Sequence, residues 1–315
     1  MESLDHATTD QVLTPPPLRP GDKIRFVSPA SPPDRDRVLR HAEILRGWGL
    51  RVDFGEHAFH KHHYLAGTDE ERLADLDAAL RDPEVRAIFT TGGGKGSYRI
   101  ADRLDFAAVR RDPKFLIGFS DITTLHLSLL RHGRVIGIHG AFFAGPGEEG
   151  VSAETVSALH GALMTTEDIV IQSRPEEPTA ALTTSGRVTG RLIGGHLETL
   201  TAAAGWALPN LSGTILLLEA NGRYRGQVDR QMTMLRKARH LDGLAGVAIG
   251  QFTDFEFDLR FSVIDILREH LNVLGVPVLG GLPLGHGRSP VSALIGAVAE
   301  LDAETGTLTI GRGSI

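Results

Sequence analysis

Short apolar runs alternate with stretches whose apolar residues recur every three to four positions, and this alternation organises the first half of the chain. KIRFVS at 23–28 reads as a short buried strand. Asp34 is placed to cap a helix with Val38, Ala42 and Leu45 on one face, and Gly47 and Gly49 end it. A second strand falls at 51–54. Thr68 can cap the next helix, with Leu73, Leu76 and Leu80 turned inward. A third strand at 86–90 runs into five residues that contain four glycines, Gly92, Gly93, Gly94 and Gly96, around Lys95. A fourth at 115–119 is followed at once by Ser120 and a helix through Leu130, and a fifth covers 135–139. Strands alternating with helices predict a parallel α/β sheet with right-handed crossovers.

The pattern changes near residue 150. A helix over 151–163 leads into a polar stretch, 165–185, which carries Pro175 and Pro178 and reads as a linker. Beyond it, strands are predicted at 214–218, 247–252 and 276–280, with a helix over 227–240. Two more strands, 297–302 and 307–310, flank the hairpin signal Glu304, Thr305, Gly306. Residues 1–17 end in three prolines and read as a flexible arm. The expected division is therefore an arm (1–17), an α/β domain (18–164), a linker (165–185) and a β-rich α/β domain (186–315).

Composition narrows the function. A net charge of −6 over 315 residues argues against nucleic acid or an anionic membrane, since both call for clustered Lys and Arg. The absence of cysteine excludes disulfides and thiolate metal sites and suits a reducing compartment. The start of the chain lacks the basic n-region and apolar run of a signal peptide, and no uninterrupted apolar stretch reaches the roughly 18 residues of a membrane span. The expectation is a soluble cytoplasmic protein.

Open α/β sheets place their sites at the carboxyl ends of the strands, which gives a search list. Ser120 stands between a strand and a helix, where a turn would expose its hydroxyl and the helix N-terminus would offer N–H groups to an oxyanion. Gly118 matches the G-x-S-x-G pattern, while Ile122 stands where its second glycine belongs, and Ser120 could equally cap the helix. The glycine loop lets backbone approach a ligand, although a plain tight turn would use the same residues; it is neither a P-loop nor a dinucleotide fingerprint. Glu219 ends the apolar run TILLLE, either as a buried carboxylate that needs a partner or as an exposed strand end. His286 sits in LPLGHGRSP, a rigid loop that could present an imidazole or simply expose one. His57, His60, His62 and His63, with Glu56 or Asp69, raise a metal site, against which adjacent histidines tend to point apart; no metal is expected. Arg223, Arg225 and Arg230 could bind a carboxylate or lie on a solvated face. His139 and His196 read as packed and hydrogen-bonded.

Taken in order, seven blocks resemble the LD-carboxypeptidases, the serine peptidases that include the microcin C immunity peptidase: GDKIRFVSPASP, AGTDEERLADL, TGGGKGSYRIADRLDF, FLIGFSDIT, GRLIGGHLETL, ILLLEANGRYRGQVDRQMTML and VLGGLPLGHG. The resemblance covers nearly the whole chain beyond the arm. It implies a flavodoxin-like N-terminal domain that carries Ser120 as nucleophile. A C-terminal, swivelling β/α barrel-like domain would supply His286 as base and Glu219 as its orienting carboxylate. It implies an oxyanion hole from backbone N–H groups of Gly93 or Gly94 and Asp121, substrate contacts from Lys95 and Arg230, no cofactor, a small peptide substrate with a free carboxylate, and a homodimer. The implied reaction is release of a terminal D-amino acid from a murein tetrapeptide. Cleavage of a peptidyl- or aminoacyl-nucleotide amide is the alternative, with Phe142 or Phe143 as stacking candidates, and a non-catalytic anion-binding module is a third. The chain departs from the family at Gly92 (commonly Arg), Lys95 (commonly Tyr), Ala220 (often Asp) and His196 (commonly Asn).

Overall fold

A computed structural model describes residues 11–148, 150–255 and 261–312. In chain order the elements of the first half are β1 (Lys23–Val27), α1 (Arg35–Gly47), β2 (Arg51–Phe54), α2 (Asp69–Arg81), β3 (Val85–Thr90), α3 (Phe106–Arg111), β4 (Phe115–Gly118), α4 (Thr123–Ser128), β5 (Gly137–His139) and α5 (Ala153–Met164). The second half continues with β6 (Ile169–Gln172), β7 (Arg187–His196), α6 (Leu197–Ala202), β8 (Thr214–Asn221), α7 (Arg225–Lys237), β9 (Gly246–Thr253), α8 (Val263–Asn272), β10 (Val278–Leu279), β11 (Ala293–Ile295), β12 (Val298–Asp302) and β13 (Thr307–Ile310). The caps anticipated from sequence form. Asp34 Oδ1 accepts the Arg37 N–H at 2.9 Å. At α2, Thr68 and Glu71 make a reciprocal capping box, which satisfies two otherwise orphaned helix donors.

The first sheet has the order β11-β5-β4-β3-β1-β2. Its five strands from the first half are parallel, and β11 closes the edge antiparallel to β5. The order β2-β1-β3-β4-β5 is flavodoxin-like, and such sheets open a crevice where the order reverses, here between β1 and β3. The second sheet runs β10-β9-β8-β7-β12-β13-β6, parallel through β7 and antiparallel beyond it. Its parallel part places β8 in the interior, so that residues 214–220 are all buried. Hydrogen bonds from Thr184 N–H to Val278 O (2.9 Å) and Arg174 N–H to Gly281 O (2.8 Å) curl this sheet back toward closure. One apolar cluster reaches from Phe26 in the first sheet to Leu216 in the second.

Three boundaries differ from the sequence reading. Residues 165–185 are no linker: they contain β6, the edge strand paired to β13, and a short 3₁₀ turn at Pro178–Leu182. With four residues and only Ile171 fully inward, β6 gives too short an alternation to recognise. The described part of the arm, residues 11–17, is docked. Val12 is buried, and Leu13 bonds on both sides, its N–H to Arg134 O (2.7 Å) and its carbonyl from Ile136 N–H (3.1 Å). Finally, β11 comes from the second half yet completes the first sheet, so the two units interleave.

Candidate active site

Ser120 follows β4 after one residue and adopts φ +61°, in the left-handed region that costs a side-chain-bearing residue about 1–2 kcal/mol. Strain of this kind persists only where the surroundings over-determine it. Here Ile122 is fully buried against the sheet and Phe119 packs toward the second unit, so the turn cannot relax. Ile122 also explains the missing second glycine of the elbow: that position serves the core. The glycine loop after β3 lies directly against the serine. A Cβ on Gly93 would stand 3.1 Å from Ser120 Oγ and 2.9 Å from its Cβ, so only glycine fits there without a shift. Ser31, in the loop after β1, anchors that loop through its N–H to Gly93 O (3.2 Å) and its Oγ from Lys95 N–H (3.1 Å). Asp121 is buried and binds Ser97, with Oδ2 accepting the Ser97 N–H at 2.8 Å. Burial pushes its carboxyl above the usual range, against the Ser97 hydrogen bonds that favour the anion.

The other wall comes from the second sheet. Glu219 lies near the carboxyl end of β8, opposite His196 of β7, at a register shift between β8 and β9. It is wholly buried, and the His286 Nδ1–H donates to its Oε2 at 2.8 Å. Burial alone would raise the Glu219 carboxyl, but the charge and hydrogen bond of His286, with His196 and His139 nearby, outweigh it and hold the group at about 2. The loop that presents His286 is built around its glycines. Gly285 has φ +125° and a Cβ there would stand 2.6 Å from Glu219 Oε2, while the Gly287 N–H donates to Gln251 Oε1 at 2.7 Å. Gln251 is itself fixed by bonds to Glu177 and Arg288.

The two walls meet. The Phe119 ring, next to the serine, lies 4.6 Å from the His286 ring, and Phe143 meets that ring edge-on at 5.8 Å. Across the units, the His196 N–H donates to Thr123 Oγ1 at 3.1 Å, just past the serine turn. Ser120 and His286 line one cleft of about 370 Å³ with Gly93, Phe143, Asn221 and Arg37. It opens at the carboxyl ends of β1, β3 and β4, the crevice expected of this strand order. A larger cavity of about 590 Å³ lies elsewhere, between α5 and β6, and contains neither residue.

The structure thus brings Ser120, Glu219, His286 and Gly93 together as the sequence suggested. Lys95 and Arg230, expected to touch substrate, do not line this cleft. The Lys95 ammonium is engaged with Glu198 of α6 at 3.0 Å, and Arg230 is exposed on α7. Arg225 is turned to the Phe261 carbonyl and Arg223 stacks over Tyr224, also outside the cleft. His196 is hydrogen-bonded as anticipated, to Thr199 and Asn221 at 3.2 Å each. His139 is packed but neither ring nitrogen has a partner, and burial pushes it down to about 4. Of the histidine cluster, His57, His60 and Glu71 bring ligand atoms within 4.8 Å of one another, while His62 and His63 stand outside the group. His57 Nδ1 is held by Asp75 (2.9 Å) and His60 Nδ1 by Glu71 (3.2 Å). Sequence reasoning missed Arg37, Asn221 and Gln251, which carry no local motif and become neighbours of the site only through the fold.

A strained serine beside a buried carboxylate–imidazole pair is the equipment of a serine-type hydrolase. Profiles described as the LD-carboxypeptidase N-terminal domain and the LD-carboxypeptidase C-terminal domain match residues 24–140 and 189–301. The chain belongs to the LD-carboxypeptidase family and is a serine-type carboxypeptidase. A murein tetrapeptide carboxypeptidase from Pseudomonas aeruginosa is 31% identical over 84% of this chain and 88% of its own. A crystal structure of muramoyltetrapeptide carboxypeptidase from Oxalobacter formigenes superposes with a TM-score of 0.81 at 25% identity, covering 92% of this chain and 98% of that one. The microcin C7 self-immunity protein MccF in complex with aspartyl sulfamoyl adenosine superposes at 0.84 with 25% identity, over 94% and 97%. The Escherichia coli protein of that name is 26% identical over 93% of this chain and 94% of its own length.

Proposed function

We propose that this enzyme hydrolyses the amide before a C-terminal D-amino acid of a murein tetrapeptide, with Ser120 as nucleophile, His286 as base and Glu219 orienting the base. The observation that carries the reading is the 2.8 Å His286–Glu219 bond at the wall of the cleft that Ser120 also lines. With Nδ1 committed to Glu219, the imidazole keeps Nε2 for the serine proton. Ser120 Oγ attacks the scissile carbonyl as that proton leaves, and His286 then delivers it to the departing amine. Water, deprotonated in turn by His286, attacks the acyl-serine and releases the shortened peptide. The Glu219 anion stabilises the imidazolium formed in each half-reaction. Backbone N–H groups of Gly93 or Gly94 and of Asp121 would receive the oxyanion, each worth about 3–4 kcal/mol. The name of the Pseudomonas aeruginosa relative supports the substrate class.

A second reading, cleavage of an aminoacyl-nucleotide amide, draws support from Phe143. Its ring is half-buried at the cleft beside His286, while Phe142 is spent in the core, stacked on Phe89 at 5.4 Å. The reading also takes the enzyme to be cytoplasmic and a homodimer; light scattering of the purified chain tests the dimer. Two measurements decide the chemistry. A fluorophosphonate should label the wild type and not Ser120→Ala; equal labelling removes the nucleophile and leaves an anion-binding module. Mass spectrometry of the products should show loss of one terminal residue from murein tetrapeptide. A wild type that spares the tetrapeptide but cuts an aminoacyl sulfamoyl nucleoside overturns the first reading in favour of the second.

A further inference from the structure

We propose that Arg37 forms an anion subsite of the cleft, holding the free carboxylate of the residue that leaves, and thereby makes the enzyme an exopeptidase. The inference rests on Ser120 being the nucleophile. Arg37 lies in the first turn of α1, directly after the loop that follows β1, and its side chain lines the cleft with Ser120, Gly93 and His286. Its Nη2 lies 3.9 Å from the point where a Cβ on Gly92 would stand. The next residue along that loop, Gly93, is the one pressed against the serine hydroxyl. The guanidinium therefore stands at the residue of the glycine loop next to the one that meets the nucleophile. In a carboxypeptidase substrate the terminal carboxylate hangs on the Cα bonded to the scissile nitrogen, two bonds from the atom that departs, so it too falls beside the reacting centre.

The charge balance of the cleft agrees. No acidic side chain is among the described residues that line it, and among them only Arg37, His41 and His286 can carry positive charge. Burial, and then the charges of Arg37 and Arg40, push His41 down to about 4, so it remains neutral near pH 7. It packs one helical turn beyond Arg37 against the Phe142 ring, at 5.3 Å, as an uncharged floor. Arg37 is exposed, and no hydrogen bond or close ion pair engages its guanidinium among the described residues; Asp34, which accepts its backbone N–H, feels its charge only at longer range. The nearest alternative cation on the glycine loop, Lys95, is already bound to Glu198. A planar guanidinium left open beside the oxyanion loop suits bidentate recognition of a carboxylate.

The test compares two synthetic murein tetrapeptides, one ending in a free carboxylate and one in a carboxamide, with fluorophosphonate labelling of Ser120 measured in parallel. The wild type should favour the acid by at least roughly tenfold in kcat/KM. Arg37→Met should lose roughly 10- to 100-fold on the acid, mostly through KM. It should leave the amide rate and the labelling rate unchanged, so that the preference collapses. Arg37→Lys should recover part of it, because a point charge replaces the fork. A wild type without preference for the acid, or an Arg37→Met enzyme that keeps it or loses both substrates equally, overturns the subsite while labelling upholds the nucleophile. Absence of labelling in the wild type overturns both.

Discussion

The two walls of the cleft are held by opposite means. Ser120 sits half-exposed on a backbone forced to φ +61°, kept there by the packing of Ile122 and Phe119. Glu219 and His286 sit on a strand at a register shift and on a glycine-bearing loop, held by a hydrogen bond to a wholly buried carboxylate. The Ser120 wall stores conformational strain, and the Glu219–His286 wall stores desolvated charge. The lesson is that equal losses of activity from the two walls should carry opposite changes in stability.

The largest effect should come from removing one reactive group from each wall. Ser120→Gly and Glu219→Gln should each lower kcat by about 10⁴ or more. In urea unfolding, Ser120→Gly should gain about 1 kcal/mol, since glycine adopts the left-handed turn freely. Glu219→Gln should lose about 3 kcal/mol by breaking a buried pair from one side. Equal shifts in the same direction would erase the contrast between the two walls.

An intermediate effect should follow pH. Burial pushes His139 down to about 4 and His126 down to about 3, against the ordinary 6.5. Between pH 6.5 and 4 the unfolded chain therefore takes up protons that the folded one refuses, so stability falls as pH falls. Glu219, held at about 2 against 4.5, adds a loss of the same sign that sets in only below pH 4.5. Urea midpoints measured down from neutral pH should decline first in the histidine window. His139→Leu should flatten that slope, whereas an unchanged slope would place the acid sensitivity elsewhere.

The smallest effect belongs to the exposed ion pair that joins the walls on the outside, Lys95 with Glu198, both more than half exposed. A double-mutant cycle with Lys95→Met and Glu198→Gln should give a coupling below about 1 kcal/mol that vanishes at high salt. A larger, salt-resistant coupling would make this pair a true clasp of the cleft.

Much of this was legible in the chain. The strands β1 to β4, the caps at Asp34 and Thr68, and the hairpin of β12 and β13 follow local periodicity and local capping chemistry, which sequence records. Ser120, Glu219 and His286 were legible as strand ends and a glycine-flanked loop, but their surroundings were not. Whether Glu219 is exposed or buried depends on β9 and the loop at 284–287, far away in sequence. β7 went unrecognised because Gly190, Gly194 and Gly195 interrupt its apolar alternation, glycines required where neighbouring backbone (at Gly190 and Gly194) or the Thr123 side chain (at Gly195) comes too close for a Cβ. The two-sidedness of Lys95 was invisible for the same reason: its partner Glu198 is brought to it by the fold, 103 positions away in sequence.

The placement of β11 has one more consequence. The chain leaves the first sheet after β5, builds the whole parallel part of the second, and returns to pair Ala293–Ile295 with Gly137–His139. That return covers the edge of β5 beside the cleft with a short three-residue strand, a poor template for unwanted pairing. It also comes only seven residues after His286 along the chain (293 against 286). The loop that carries His286 is thus tethered at its far end to the sheet that leads into Ser120. The registry of β11 against β5 therefore bears on where the His286 loop stands relative to Ser120, as the rail of a caliper carries its jaw.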